Sequence, residues 1–248
     1  MKWAVADHRI DVNPVQRARD LAGHSLVPRG GVKRERRFLN APEVDALVSH
    51  AGDSALLIEF MAYTGLRLGE VTALQMRDVD LLRNRIFVRR AWSDVGGVLI
   101  ERLPKSGKER EVPIARRLRA ALALHIATRG CGPEGLLFPA PEGGPLRKAN
   151  WSARVFAPAA RAAGLAGLTP HELRHTFASL ATQAGANPKV LQRVMGHSSI
   201  TVTLDTYGHL FPSDLDALGD AFESHAETTK CATNVPDLFP KSRFAQSI

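Results

Sequence analysis

Cysteine is scarce in this chain: two in 248 residues, Cys131 and Cys231. They lie far apart in sequence and offer neither a disulfide framework nor the close spacing of a structural zinc site, which fits a reducing cytosol. No stretch reaches the roughly 18 uninterrupted apolar residues of a membrane span. The opening MKWAVADHRI sets Asp7 and His8 where an export signal would need its apolar region. These absences predict a soluble, unexported, cytoplasmic protein with no membrane partner. Repeats and low-complexity runs are missing too, and there are only two tyrosines, Tyr63 and Tyr207. Acidic residues are in deficit: 25 Asp and Glu against 33 Lys and Arg leave a net charge of +8. Such a surplus favours polyphosphate partners, nucleic acid first among them, by releasing condensed counterions. It is also compatible with a merely solubilising surface.

What is present is enough for a core, at 44% hydrophobic residues. Residues 1–20 read as the end of a helix and a turn. HSLVPRGGVKRERRFL follows, with the Pro, Gly and Lys/Arg content of an exposed basic linker, and a new globular unit should begin near Leu39. Helical apolar spacing predicts helices near 42–50, 54–63 and 68–75, with Gly65 interrupting and Arg67 at a helix junction. Tyr63 reads as core. From Arg85 the short β-branched runs RIFVRRAW, GVLIERL and REVPI predict a small three-stranded antiparallel sheet, with the turn PKSGK joining the last two strands and carrying Lys105. Helices resume at IARRLRAALALHIATRG, a short strand and turn are expected at LLFPAPEGGPL, and helices over 148–163, 170–184, 188–195 and 199–206 follow. The fold class expected is mainly α with a small antiparallel sheet (α+β). Beyond Tyr207, Leu215, Leu218 and Phe222 form one apolar face of a helix over 213–226, capped by Ser213, and the last residues look frayed.

HELRHT, residues 171–176, contains the H-E-x-x-H pattern of zinc hydrolases. Its setting points elsewhere. Thr169 is a natural N-cap, Pro170 suits the first helical position, and Glu172 completes a capping box, so Glu172 already has a structural task. At about 100° per residue, His171, Arg174 and His175 share one face opposite Leu173, Phe177 and Leu180, which should turn the polar trio away from the core. The helix N-terminus attracts anions and repels cations. Arg174 cannot be deprotonated, and a zinc site would still need a third ligand, His197 or Asp205. A phosphate suits every feature of this helix end.

With that reading, TGLRLGE, LPKSGKEREVPI, TPHELRHTFAS, MGHSS and TLDTYGHL form an ordered set that resembles the catalytic domain of the integrase family of tyrosine recombinases, over about residues 36–212. The resemblance implies the DNA breaking-rejoining fold and site-specific DNA recombination through a covalent 3′-phosphotyrosyl link, without metal, ATP or other cofactor. It implies double-stranded DNA as partner, a homo-tetramer on DNA that is weak or monomeric without it, and a nucleoid-associated location. Arg67 and Arg174 resemble the two phosphate-binding arginines, and Glu70 the acidic neighbour that orients the first. Lys105 resembles the hairpin lysine that protonates the departing 5′ oxygen. His171 matches the histidine that accepts or relays the tyrosine proton, and His197 a donor to a non-bridging oxygen. His175 is a supporting residue behind them, and Tyr207 is the nucleophile. Lys33, Arg34, Arg36 and Arg37 are expected to touch DNA from the linker.

The resemblance also predicts a layout: 1–20 as a remnant of an N-terminal core-binding domain, 21–37 as basic linker, 38–212 as catalytic domain, 213–226 as a helix that docks on a neighbour or folds back, and 227–248 as a tail. A truncated, non-cutting DNA-binding remnant is the alternative function, and a zinc hydrolase the remote one.

Overall fold

A computed structural model describes Asp7, Asp11–Pro14, Arg17, and residues 37–104 and 107–211. The chain divides into two units, Met1–Phe38 and Leu39–Ile248. In the first, the Arg17 N–H donates to the Asn13 carbonyl at 3.0 Å. The predicted helix over 213–226 and the tail lie outside the described residues.

The second unit begins with α1, Ala41–Ser49, which starts at a reciprocal cap: Asn40 Oδ1 accepts from the Glu43 N–H at 2.8 Å, and the Glu43 carboxylate accepts from the Asn40 N–H at 2.9 Å. α2, Ala55–Thr64, is apolar nearly all round and buries Leu57, Ile58, Phe60, Met61 and Ala62, as a central helix must. Each of the four larger side chains, fully buried, contributes about 1.5–3 kcal/mol. Gly65 ends α2 at φ +64°, and α3, Leu68–Val71, starts three residues later with Arg67 as its N-cap.

α3 stops well short of the predicted residue 75 because the neighbouring backbone is engaged elsewhere. The Leu74 carbonyl accepts from the Leu137 N–H at 2.8 Å, and the Met76 N–H donates to Gly135 at 2.9 Å. The same pairing corrects a second expectation. LLFPAPEGGPL contributes isolated bridges, Gln75 with Leu136 and Pro139 with Pro145, rather than a strand.

The sheet also differs in membership. β1 (Val79–Asp80), β2 (Arg85–Val88) and β5 (Arg110–Pro113) form one antiparallel sheet in the order β1-β2-β5, while β3 (Ala91–Val95) and β4 (Val98–Arg102) form a separate hairpin. RIFVRRAW is therefore two strands. Consecutive strand residues point to opposite faces, yet Arg89 and Arg90 both reach the buried Asp78, at 2.9 and 3.1 Å, and satisfying both breaks the strand between them. PKSGK consequently joins strands of two different sheets instead of two neighbours in one.

α4, Arg119–Arg129, ends at Gly130. α5 (Lys148–Trp151) runs through a π-helical turn, Ser152–Phe156, into α6, Ala157–Ala162. Pro158 has no N–H to give the Arg154 carbonyl, which accounts for the widened turn. α7 (Pro170–Gln183), α8 (Pro188–Met195) and α9 (Ile200–Tyr207) complete the order. The core joins Leu47, Ile58, Phe60, Leu122, Leu137, Phe156 and Leu173 from these elements. Tyr63, expected within it, is half-buried at its edge: its hydroxyl accepts from Arg117 Nη1 at 2.8 Å and the guanidinium lies 4.3 Å over its ring. Among the described residues no helix is long and apolar enough to cross a membrane.

Candidate active site

Arg67 stands in the short link between α2 and α3, and its neighbour Glu70 is 1% exposed. The Glu70 carboxylate receives four bonds. From Arg67 come the N–H at 2.9 Å and Nη1 at 3.1 Å. From Arg110, at the start of β5, come Nη1 at 3.0 Å and Nη2 at 2.7 Å. Burial pushes the Glu70 carboxyl up, but the bonds and charge of Arg110, followed by those of Arg67, outweigh it and hold the group below its ordinary range. Glu70 is thus ionised, and it holds the Arg67 guanidinium by one nitrogen, with that side chain still 26% exposed.

α7 begins as its sequence dictates: Pro170 is its first residue, and the Glu172 carboxylate accepts from the Thr169 N–H at 2.6 Å and from Oγ1 at 3.0 Å. Arg174 does not point into open solvent as the helical face suggested. It is 3% exposed, because α8 and the α2 terminus close over it. Its Nη1 donates to the Gly65 carbonyl and its Nη2 to the Met195 carbonyl, both at 2.6 Å. Burial first, then the charge of Arg67, pushes the Arg174 guanidinium down to about 9, so it remains protonated at neutral pH. Glu70 opposes that shift by its negative charge, as the Tyr207 oxygen does once it is ionised.

Tyr207 ends α9 and is 1% exposed. Its hydroxyl hydrogen-bonds His175 Nδ1 at 2.8 Å. The His171 and His175 rings meet edge to face, with centroids 4.9 Å apart, while the His197 ring lies almost parallel to Tyr207 at 6.2 Å. His197 follows the α8 terminus, where Gly196 turns the chain at φ +66°, and its Nδ1 bonds Thr203 Oγ1 at 2.9 Å. Burial, then Arg174, Arg67, Arg110 and His175, lowers His197 to about 4, so the ring is neutral at pH 7. His171 is lowered as well, by partial burial and then by Arg174, Lys148 and Arg67, with Glu172 opposing.

The structure therefore brings Arg67, Glu70, His171, Arg174, His175, His197 and Tyr207 together. Lys105, Lys33, Arg34 and Arg36 lie outside the described residues, and Arg37 is an exposed residue of the first unit. The hydrogen bond to the phenol comes from His175, the residue expected to stand in support. Arg110 was not singled out from the sequence, yet a signal existed: in Arg110–Pro113, alternation puts Arg110 on the same inward face as Val112.

The zinc arrangement does not form. The Glu172 carboxylate is bound by Thr169, His175 Nδ1 is bound to Tyr207, and among the described residues no three His, Cys, Asp or Glu side chains converge as metal ligands. What converges instead is positive charge beside a phenol.

A profile of the phage integrase family matches residues 35–213. The tyrosine recombinase XerC of Xanthomonas axonopodis pv. citri (strain 306) is 29% identical over 236 residues, 93% of this chain and 70% of that protein. XerC of Xanthomonas campestris pv. campestris (strain B100) is 30% identical over 92% of this chain and 66% of its own length. This chain thus spans about two thirds of those relatives. The Tn1549 transposon integrase in complex with transposon right end DNA aligns with TM-score 0.64 and 26% identity over 81% of this chain and 67% of that one. The catalytic domain of bacteriophage HP1 integrase shares the fold, with TM-score 0.52 and 24% identity over 81% of this chain and 99% of that one. The fold is that of a tyrosine recombinase catalytic domain, mostly helical with small antiparallel sheets. The chain belongs to the phage integrase family.

Proposed function

We propose that this chain carries out site-specific recombination of double-stranded DNA by strand cleavage and rejoining through Tyr207. The observation that carries this reading is the union of Arg174, Arg67 and Tyr207 in one neighbourhood through Gly65, Met195, His175 and His197. Two guanidinium groups match the non-bridging oxygens of a phosphodiester and gain strength as charge accumulates there in the transition state. Metal is not needed for that stabilisation. The Tyr207 oxygen forms a bond to phosphorus as the bond to the 5′ oxygen breaks. The phenolic proton passes to His175, which already holds the hydroxyl, with His171 edge-on behind it as relay. Lys105 supplies a proton to the departing 5′ oxygen. Neutral His197 donates a hydrogen bond to the phosphate.

The phosphotyrosyl ester conserves bond energy, and a second 5′-hydroxyl reverses the step without external energy. Tyr207 is buried in this structure, so engagement of DNA must open a path to the phenol while its contact with His175 is kept. Supporting the substrate class are the net charge of +8 and the likeness to an integrase solved on DNA. The basic residues Lys33, Arg34, Arg36 and Arg37 are proposed to follow the phosphate backbone, and four protomers to assemble on two duplexes at the nucleoid.

A nicked duplex that loses a short fragment on cleavage tests this reading. The parent chain is expected to form a detergent-stable covalent complex in EDTA, and Tyr207→Phe to bind the same duplex without forming it. Binding by both with no adduct from either would favour a DNA-binding remnant that does not cut.

A further inference from the structure

We infer that Arg110 is a positioning residue for the phosphate site: it neutralises Glu70, keeps Arg67 free for the scissile phosphate, and fixes the turn that carries His197. The inference rests on the strand-cleavage reading above and adds a residue to it.

Three donors of one guanidinium make the case. Arg110 is 9% exposed, and its Nη1 and Nη2 grip the two oxygens of Glu70 while Nε donates to the Val194 carbonyl at 2.8 Å. Each Glu70 oxygen takes one bond from Arg110 and one from Arg67. A buried carboxylate deprived of Arg110 would be left with Arg67 as its ion-pair partner among the described residues and would draw that guanidinium into a two-pronged grip. The fork that does so cannot also hold a phosphate. Charge makes the same point. Glu70 with Arg110 is neutral, leaving Arg67 and Arg174 with two positive charges for the diester, and without Arg110 Glu70 would cancel one of them.

The second anchor is the carbonyl end of α8. Val194 and Met195 present successive carbonyls, one taken by Arg110 and the other by Arg174, so two guanidinium groups hold the negative end of that helix. Gly196 follows, packed so closely that a Cβ there would lie 3.1 Å from the Arg110 guanidinium. The direction in which His197 leaves the helix is therefore set by both arginines. Lysine cannot replace Arg110, because one ammonium cannot span two carboxylate oxygens and a carbonyl in a fixed plane.

The test measures single-turnover adduct formation at saturating protein, with duplex affinity measured separately in a Tyr207→Phe background. Arg110→Lys and Arg110→Met are expected to slow adduct formation on the order of 100-fold, the cost of misplacing a reacting group. Duplex affinity should fall only modestly and its salt slope by no more than about 0.9, the share of the one phosphate that Arg67 would release. Should Arg110→Met fail to fold, Arg110→Met/Glu70→Gln removes charge and countercharge together. Relative to Glu70→Gln alone, that double variant should lose clearly less rate than Arg110→Met loses relative to the parent, the remainder being the Val194 anchor. A melting temperature that falls while the rate of the folded protein is unchanged would overturn the inference. So would equal costs of Arg110→Met with and without Glu70→Gln. Absence of adduct from the parent chain would instead remove the cleavage reading and this inference with it, whereas an active parent with an equally active Arg110→Lys removes the inference alone.

Discussion

The 2.8 Å bond between His175 Nδ1 and the Tyr207 hydroxyl bears on two histidines to which the family resemblance gives unequal roles, His171 as acceptor or relay and His175 as support. A phenol ionises near pKa 10, so the group that takes its proton should matter more than one standing behind it. His175→Ala is expected to slow adduct formation on the order of 100-fold or more, and His171→Ala by less, as single-turnover rates on the nicked duplex will show. Equal effects would return the acceptor role to His171. His197 gives a separate forecast from its depressed titration. Its folded value of about 4 lies below the ordinary 6.5, so the unfolded chain binds the proton more readily. The stability from keeping this ring neutral is present above about pH 6.5 and is lost as pH falls towards 4. Thermal melts at pH 7.5 and 5 should therefore show a larger loss for the parent than for His197→Asn. Most of these residues were legible because each sits in a short motif on a predictable element. Arg110 was harder to read, since it shares its stretch with Lys105 and Lys108, and only its alternation with Val112 marks it as the cation that turns inward.

At the level of elements, the α2–α3 link carries the site on a backbone with little freedom. Gly65 adopts φ +64°, and a Cβ there would fall 2.3 Å from Phe177 Cδ1, while its carbonyl receives Arg174. Gly65→Ala thus combines left-handed strain with a clash against α7, and a loss of about 2–4 kcal/mol is expected from chemical denaturation. Cleavage should fall further than stability alone explains, because Arg174 would lose its anchor. The helices of this region were readable from apolar spacing and caps, down to the Thr169–Glu172 pair. The strands were not. Local β-branched runs announced extended chain, but the split between β2 and β3 depends on Asp78 collecting both Arg89 and Arg90 from outside the strand. Likewise α3 ends where residues 133–137 claim its neighbours' backbone groups, a partnership more than fifty residues away in sequence.

Across the whole molecule, excess positive charge and the convergence of Arg67, Arg174 and Tyr207 describe an enzyme built around a polyanion. If phosphate contacts dominate its affinity, the logarithm of the duplex binding constant should fall linearly with the logarithm of salt concentration, by about 0.9 per phosphate neutralised. A flat response would assign the net charge of +8 to solubility alone. The most direct measurement of the central claim is mass spectrometry of the covalent complex formed on nicked duplex in EDTA, after digestion of protein and DNA. The account predicts a nucleotide linked by its 3′ phosphate to the peptide containing Tyr207. A nucleotide linked to any other residue, or cleavage with no protein attached, would contradict it.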